Sequence, residues 1–392
     1  MRYLISLLFY FILAKSIQAQ SMQSLVDTTC HAKPMLKSFA ESTSHMNLLF
    51  ATSMTTDAEE NTFEKLYFKM NYLRWELKGT FMSDFSYHFR QSCTKKALPA
   101  ELDKLVVSVD YAYIGWQLTP HFSLTAGKQL LNFGGYEFFV SGIKVKEFSD
   151  FNDYMSNYGT GLTGSLQLSA NQNLSLQIAD IRTDSDENTY RFGLPEGIKE
   201  GKTPLLASLN WDAYLAHRAL ELRYSLSFGQ QASQRNVFYF TSGHIWRNKK
   251  ILAYLDVNFS LEGLDSKGLL SAIPTNIPAD RPRATAQHAT YFCTIANVDY
   301  RINDHWNVFA KTIYESGGIT RANGYYTKGT YLHTWQAQLC TEYYPKKNLD
   351  LKLYLHARYK QHLYTDIAQT LGGKNYSTQR IALGVVYAIP VF

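Results

Sequence analysis

A transmembrane antiparallel β-barrel of about sixteen strands is the fold that this 392-residue sequence predicts, on three observations. Beyond Ala19, no apolar run approaches the ~20 residues that a spanning helix needs. From residue 44 onward, segments of alternating apolar and polar residues follow one another to the end of the chain. The connections between them take turns in length, short then long. Short turns at one rim and long loops at the other are how outer-membrane barrels are built. A soluble sandwich has no reason to sort its loops this way.

The chain opens on an export signal. Arg2 supplies the charged start, Leu4 to Ala14 the apolar run, and Ser16-Ile17-Gln18-Ala19 a small-residue cleavage site. Residues 1–19 therefore read as a cleaved signal peptide, 20–43 as a periplasmic segment and 44–392 as the barrel. This places the protein in a bacterial outer membrane, among its lipids. Tyr (28) and Phe (23) are abundant, Pro (10) is scarce, and the mean hydropathy is only −0.25. A barrel averages to such a value because lipid-facing and lumen-facing residues alternate and cancel. The formal charge is +6, of which Arg2 and Lys15 supply two, so the overall preference for anionic partners is weak. Cys30, Cys93, Cys293 and Cys340 show no C-x-x-C pair and no metal-ligand spacing, and read as free or incidental. No metal or cofactor is expected.

The alternation places strands near 44–54, 64–79, 81–92, 104–117, 121–131, 156–170, 173–183, 203–216, 219–229, 234–247, 250–261, 287–302, 305–316, 329–344, 349–363 and 376–391. Short turns fall at Lys78-Gly-Thr, Leu118-Thr-Pro-His, Ala170-Asn-Gln-Asn, Ala216-His-Arg, Arg247-Asn-Lys, Ile302-Asn-Asp-His and Tyr344-Pro-Lys-Lys-Asn. Longer loops fall at 55–63, 93–103, 132–155, 184–202, 262–286, 317–328 and 364–375, and only the connection near 230–233 is shorter than its place predicts. In 219–228, Leu220, Leu222, Tyr224, Leu226 and Phe228 are assigned to lipid and Glu221, Arg223, Ser225 and Ser227 to the lumen. In 349–360, Leu351, Leu353, Leu355 and Tyr359 oppose Lys352, His356, Arg358 and Lys360. In 105–113, Leu105, Val107, Val109, Tyr111 and Tyr113 oppose Ser108 and Asp110. A charge on the lipid face costs ~2–4 kcal/mol at mid-membrane, so the charged faces look inward. So many strands enclose a water-filled interior. The last strand presents Ile381, Leu383, Val385, Tyr387, Ile389 and Val391 to lipid. Pro390 offers a way for the register to slip there and turn the terminal Phe392 outward.

One loop breaks the pattern. Residues 132–155 carry Phe133, Tyr136, Phe138, Phe139, Phe148 and Phe151 among Lys144, Lys146, Glu137, Glu147, Asp150 and Asp153. Gly134-Gly135 permits a sharp bend. So aromatic a loop is expected to bury itself in the barrel and narrow it, the alternative being an external loop packed on its neighbours.

The runs Asp110-Tyr-Ala-Tyr-Ile-Gly-Trp, Leu118-Thr-Pro-His-Phe-Ser-Leu-Thr-Ala-Gly-Lys-Gln and Phe133-Gly-Gly-Tyr-Glu resemble the phosphate-selective porin O and P family. The stretch from Asn61-Thr-Phe-Glu-Lys-Leu through Trp75-Glu-Leu-Lys-Gly-Thr is similar to the family's early hairpin, especially in versions from Bacteroidota. The resemblance implies a sixteen-stranded porin, commonly a homotrimer, that passes small solutes and anions such as phosphate by passive diffusion. It also implies basic pore residues. Lys128, Lys144 and Lys146 are the candidates for the constriction, and Arg74, Arg90, Arg223, Arg358 and Arg380 for the wall. Asp84, Asp110, Asp212, Glu221, Asp256, Asp299, Glu315 and Glu342 are expected beside them, which departs from a purely basic ladder.

Catalysis is not indicated. There is no G-x-S-x-G, H-E-x-x-H, P-loop or EF-hand loop, and the eleven histidines are scattered. Nothing points to nucleic acid. Two other readings stay open: a transporter of hydrophobic solutes, which needs an apolar lumen, and a closed structural or adhesive barrel.

Overall fold

The computed structural model describes residues 43–95, 103–182, 189–275, 284–347 and 349–391. The expected signal peptide, Cys30 and Phe392 lie outside the described residues.

Sixteen strands form the barrel: β1 (Thr43–Glu59), β2 (Thr62–Phe81), β3 (Phe85–Ser92), β4 (Val109–Thr119), β5 (Phe122–Leu130), β6 (Tyr158–Ser169), β7 (Gln172–Asp180), β8 (Leu205–Leu215), β9 (Leu220–Ala232), β10 (Arg235–Arg247), β11 (Ile251–Leu264), β12 (Gln287–Arg301), β13 (Trp306–Ile319), β14 (Gly329–Tyr343), β15 (Leu351–Tyr364) and β16 (Tyr376–Pro390). Each pairs with its sequence neighbours, and β16 closes on β1 with Leu48 opposite Ile389 and Met54 opposite Leu383. Closure satisfies the backbone within the sheet, which lipid demands.

The alternation read from the sequence sets the two faces. In β9, Glu221, Arg223, Ser225 and Ser227 are buried while Leu226 and Phe228 are exposed. In β15, Lys352, His356 and Lys360 are buried while Leu353, Leu355 and Tyr359 are exposed. In β16, Ile381 and Leu383 are exposed, and the small residues Ala382 and Ala388 face in. Cys293 on β12 and Cys340 on β14 are free thiols separated by β13.

Two connections and one strand differ from expectation. The loop placed at 55–63 is a two-residue turn, because alternation continues through Glu59 and resumes at Thr62. Glu60 and Asn61 both take positive φ (48° and 64°), as the tightest hairpin turns require. The next turn falls not at Lys78-Gly-Thr but at Met82–Asp84, which removes Asp84 from the wall. The third change is in β4. Arg90 pairs with Tyr111 and Gln91 with Val109, so Asp110 is an extra residue in a bulge. A one-residue slip turns every later side chain over. Tyr111 and Tyr113, assigned to lipid from the sequence, therefore share a face with Arg90 and His88. The Arg90 guanidinium stands 4.0 Å from the Tyr111 ring centre, and the Tyr113 hydroxyl is 3.0 Å from His88 Nδ1.

β3 is short, and this leaves a mark on β2. β3 pairs with β2 only from Arg74 to Phe81. Among the described residues, 62–72 of β2 pair with β1 alone, so one edge of that stretch has no partner strand there. Phe63, Leu66, Phe68 and Met70 stand exposed along it, Phe68 at 83%.

Candidate functional site

The β5–β6 connection runs through three single-turn helices: α1 (Tyr136–Phe139), α2 (Gly142–Val145) and α3 (Asp150–Asp153). Helices this short have no stability of their own. Wall carboxylates complete two of them. Asp256 on β11 accepts hydrogen bonds from the Tyr136 and Glu137 N–H groups, at 2.9 and 2.7 Å. Glu315 on β13 accepts from the Phe151 and Asp150 N–H groups, at 2.7 and 3.2 Å. Each carboxylate satisfies two of the N–H groups that a helix start leaves unpaired. Gly135 is what lets the chain come so close, since a Cβ there would stand 2.7 Å from the Asp256 carboxyl carbon.

A buried ion pair ties the loop together. Glu137 is fully buried and accepts from Lys311 Nζ on β13 (2.9 Å), Asn152 Nδ2 (2.8 Å) and the Ser149 N–H (3.1 Å). Lys311 Nζ also donates to the Val145 and Glu147 carbonyls, at 3.1 and 2.5 Å. On the far side, Glu147 meets Arg358 of β15 at 3.2 Å and Arg380 of β16 at 3.0 Å. Asp150 pairs with Lys360. Phe133, Phe138 and Phe151 pack with Val237, Tyr239, Ile245, Ile295 and Ile313 of the wall in one buried cluster.

Between residues 142–147 and the wall of β1, β2, β15 and β16 lies a cavity that is open to solvent. The wall contributes Ser53, Thr55, Tyr67, Lys69, Asn71 and Tyr72, with Tyr354, His356 and Arg380 from the closing strands. The loop contributes Lys146 and Glu147.

The structure separates the three candidate lysines. Lys146 lines the cavity, 2.9 Å from Glu342 and 4.0 Å from the centre of the Tyr354 ring. Lys144 is exposed and makes no ion pair among the described residues. Lys128 does not join them. Its register sets it on the face of Ala126 and Leu162, the latter 61% exposed, and its ammonium is held 2.7 Å from Asp103 of the β3–β4 connection. The lysine after a motif glycine here fastens an external loop, because strand parity turns it away from the β5–β6 loop.

The candidate arginines are all paired. Arg74 and Arg90 share Asp110 at 3.6 and 3.2 Å, with Lys95 a third cation on it at 2.7 Å. Arg223 is 3.3 Å from Asp212 and 3.8 Å from Glu221, and covers the Phe139 ring at 3.9 Å. Arg358 holds Glu147, and Arg380 holds both Glu147 and Asp57, the latter at 2.6 Å. The carboxylates among them mostly answer a wall cation or the loop's backbone, so they are fasteners rather than a second selectivity ring.

Sequence reasoning missed Lys69, Asn71 and Lys311, and the part of the wall that packs against the loop. A signal for the latter was present. Val237, Ile245, Ile295 and Ile313 occupy lumen-facing positions of β10, β12 and β13, where a water-filled pore would place polar residues.

The phosphate-selective porin O and P family model matches residues 51–389. No match among curated proteins is found. Among solved structures, the chain is similar to the outer membrane channel DcaP of Acinetobacter baumannii, with 12% identity over 90% of this chain and 99% of that one at a TM-score of 0.62. It is similar to the trimer form of OmpT of Vibrio cholerae, with 11% identity over 89% and 100% at a TM-score of 0.54. An anion-selective porin from Comamonas acidovorans shows 9% identity over 89% and 100% at a TM-score of 0.53. The chain belongs to the phosphate-selective porin O and P family and is an outer-membrane porin.

Proposed function

We propose that this porin passes small hydrophilic solutes by passive diffusion and prefers anions, phosphate among them. One observation carries the preference: the cavity beside the β5–β6 loop is lined by Lys69, Lys146 and Arg380 against the single carboxylate of Glu147. The same ratio recurs farther along, where Arg74, Arg90 and Lys95 share Asp110. The two groups adjoin, since the Arg74 guanidinium is 5.0 Å from the ring centre of Tyr72, which lines the cavity. A cation surplus inside a narrow, low-dielectric passage raises the local anion concentration. In this reading the β5–β6 loop forms the constriction, with Lys144 and Lys146 on it, and residues 1–19 direct export. A transporter of hydrophobic solutes fits less well, because the lining carries Ser53, Thr55 and Asn71.

The unit is a homotrimer in this reading. The open β2 edge and its apolar stripe support it, since an unpaired edge at a membrane calls for a protein neighbour.

Planar-bilayer recording in a KCl gradient tests the function. The expected reversal potential has the sign of chloride preference. The opposite sign removes the anion reading, and near-zero conductance supports the closed barrel instead.

A further inference from the structure

We propose that the cavity between the β5–β6 loop and β2 is a binding subsite for an acidic sugar, a polyhydroxylated solute bearing one carboxylate. The inference rests on the anion reading and deepens it. Its starting point is how few charges in the cavity are free to act on a solute. Lys146 is held by Glu342, and Arg380 by Glu147 and Asp57. Lys69 lines the cavity opposite Ser53, is exposed, and makes no ion pair among the described residues. One free ammonium suits a single carboxylate. A phosphate dianion binds best where several uncommitted charged donors converge.

The rest of the lining is neutral and hydrogen-bonding. Ser53 and Thr55 share a hydrogen bond of 3.0 Å. Asn71 Nδ2 donates to Ser53 Oγ at 2.8 Å and to the Tyr354 hydroxyl at 3.2 Å. Hydroxyls both donate and accept, so this linked row can exchange bonds with sugar hydroxyls one by one as a solute passes. The strand is irregular at Asn71. The β1–β2 register shifts between Ala51 and Thr52, which pair with Tyr72 and Met70, so Asn71 is the extra residue of a bulge. The bulge puts Asn71, in step with Tyr67 and Lys69, and its neighbour Tyr72 on the same face. Tyr67, Tyr72 and Tyr354 add aromatic surface suited to the C–H faces of a sugar ring. Hydroxyl row, aromatic surface and one cation are together the complement of a uronate.

The test uses the full-length porin in planar bilayers, with galacturonate, galactose, acetate and inorganic phosphate added in turn to a KCl solution. Galacturonate is expected to interrupt the chloride current at a concentration at least about tenfold below that needed for galactose or acetate, ~1.4 kcal/mol in binding. Lys69→Gln and Asn71→Ala are each expected to weaken that block several-fold, and heat-modifiable migration on gels shows whether each variant has closed its barrel. Phosphate blocking at lower concentration than galacturonate overturns the proposal, as does equal block by galactose, or no block by any probe. The KCl reversal potential of the same channels reports on anion preference separately. A chloride-preferring channel without uronate block sinks only the subsite.

Discussion

The two sides of the barrel interior are built on opposite principles. On the side of β10–β13, the wall meets the β5–β6 loop as a protein core: Phe133, Phe138 and Phe151 pack on Val237, Tyr239, Ile245, Ile295 and Ile313. On the side of β1, β2, β15 and β16, the wall carries small and polar residues such as Ser53, Thr55 and Asn71, and the space stays open. In the proposed reading, the chain narrows its pore by filling one side. This explains why the carboxylates divide as they do. Asp256 and Glu315, on the packed side, accept backbone N–H groups. Glu147, facing the open side, accepts two guanidiniums and leaves a cation surplus.

The largest effect that could break this comparison comes from removing the filling. Deleting residues 136–150 is expected to raise single-channel conductance several-fold and to lower the unfolding midpoint, because the apolar wall of β10–β13 loses its cover. Unchanged conductance would sink the constriction. Next in size is Lys311→Ala. It leaves Glu137 buried and unpaired, which costs about 3–5 kcal/mol. Urea unfolding should show the loss, and current traces should grow noisier as the loop loosens. A mild phenotype in both would mean that the apolar packing holds the loop by itself.

On the open side the expected effects are smaller and concern selectivity. Arg380→Ala frees Glu147 and Asp57 from one guanidinium and should move the KCl reversal potential towards zero while the barrel still closes. A potential that stays put would place the selecting charge elsewhere. The smallest effect is with pH. Burial alone would raise the Glu147 carboxyl, but the Arg358 and Arg380 guanidiniums hold it below the ordinary value. A depressed carboxyl contributes stability above its unfolded pKa, about 4.3 for Glu, and loses it as pH falls through the folded value. The stability difference between the protein and Glu147→Gln should therefore be constant from pH 8 to about 5 and close only below the ordinary glutamate range. A difference that closes near neutral pH would contradict the pairing.

The barrel was legible because it is repetitive. Alternation in strands such as β9 and β15 reports the lipid face directly, and sixteen strands emerge near the positions that it marks. What failed was local. The Asp110 bulge reverses Tyr111 and Tyr113, and the Asn71 bulge sets Asn71 and Tyr72 side by side on the cavity face, yet neither bulge interrupts the run of residue types. Lys128 was misplaced for a related reason: a motif position carries no parity. Composition of the β5–β6 loop pointed to burial, but its partners could not be read, because Asp256, Lys311 and Glu315 lie more than a hundred residues away along the chain.

The open edge of β2 has a consequence at an earlier stage than conduction. Among the described residues this edge offers unpaired N–H and C=O groups beside Phe63, Leu66 and Phe68, the combination that templates wrong pairing between chains. Lys65 and Lys69 sit along the same stretch. Lysine is the residue type that natural sheets place on exposed edges to discourage such pairing. A variant lacking both lysines is therefore expected to be caught first by its misfolded yield in the membrane and only afterwards by its current.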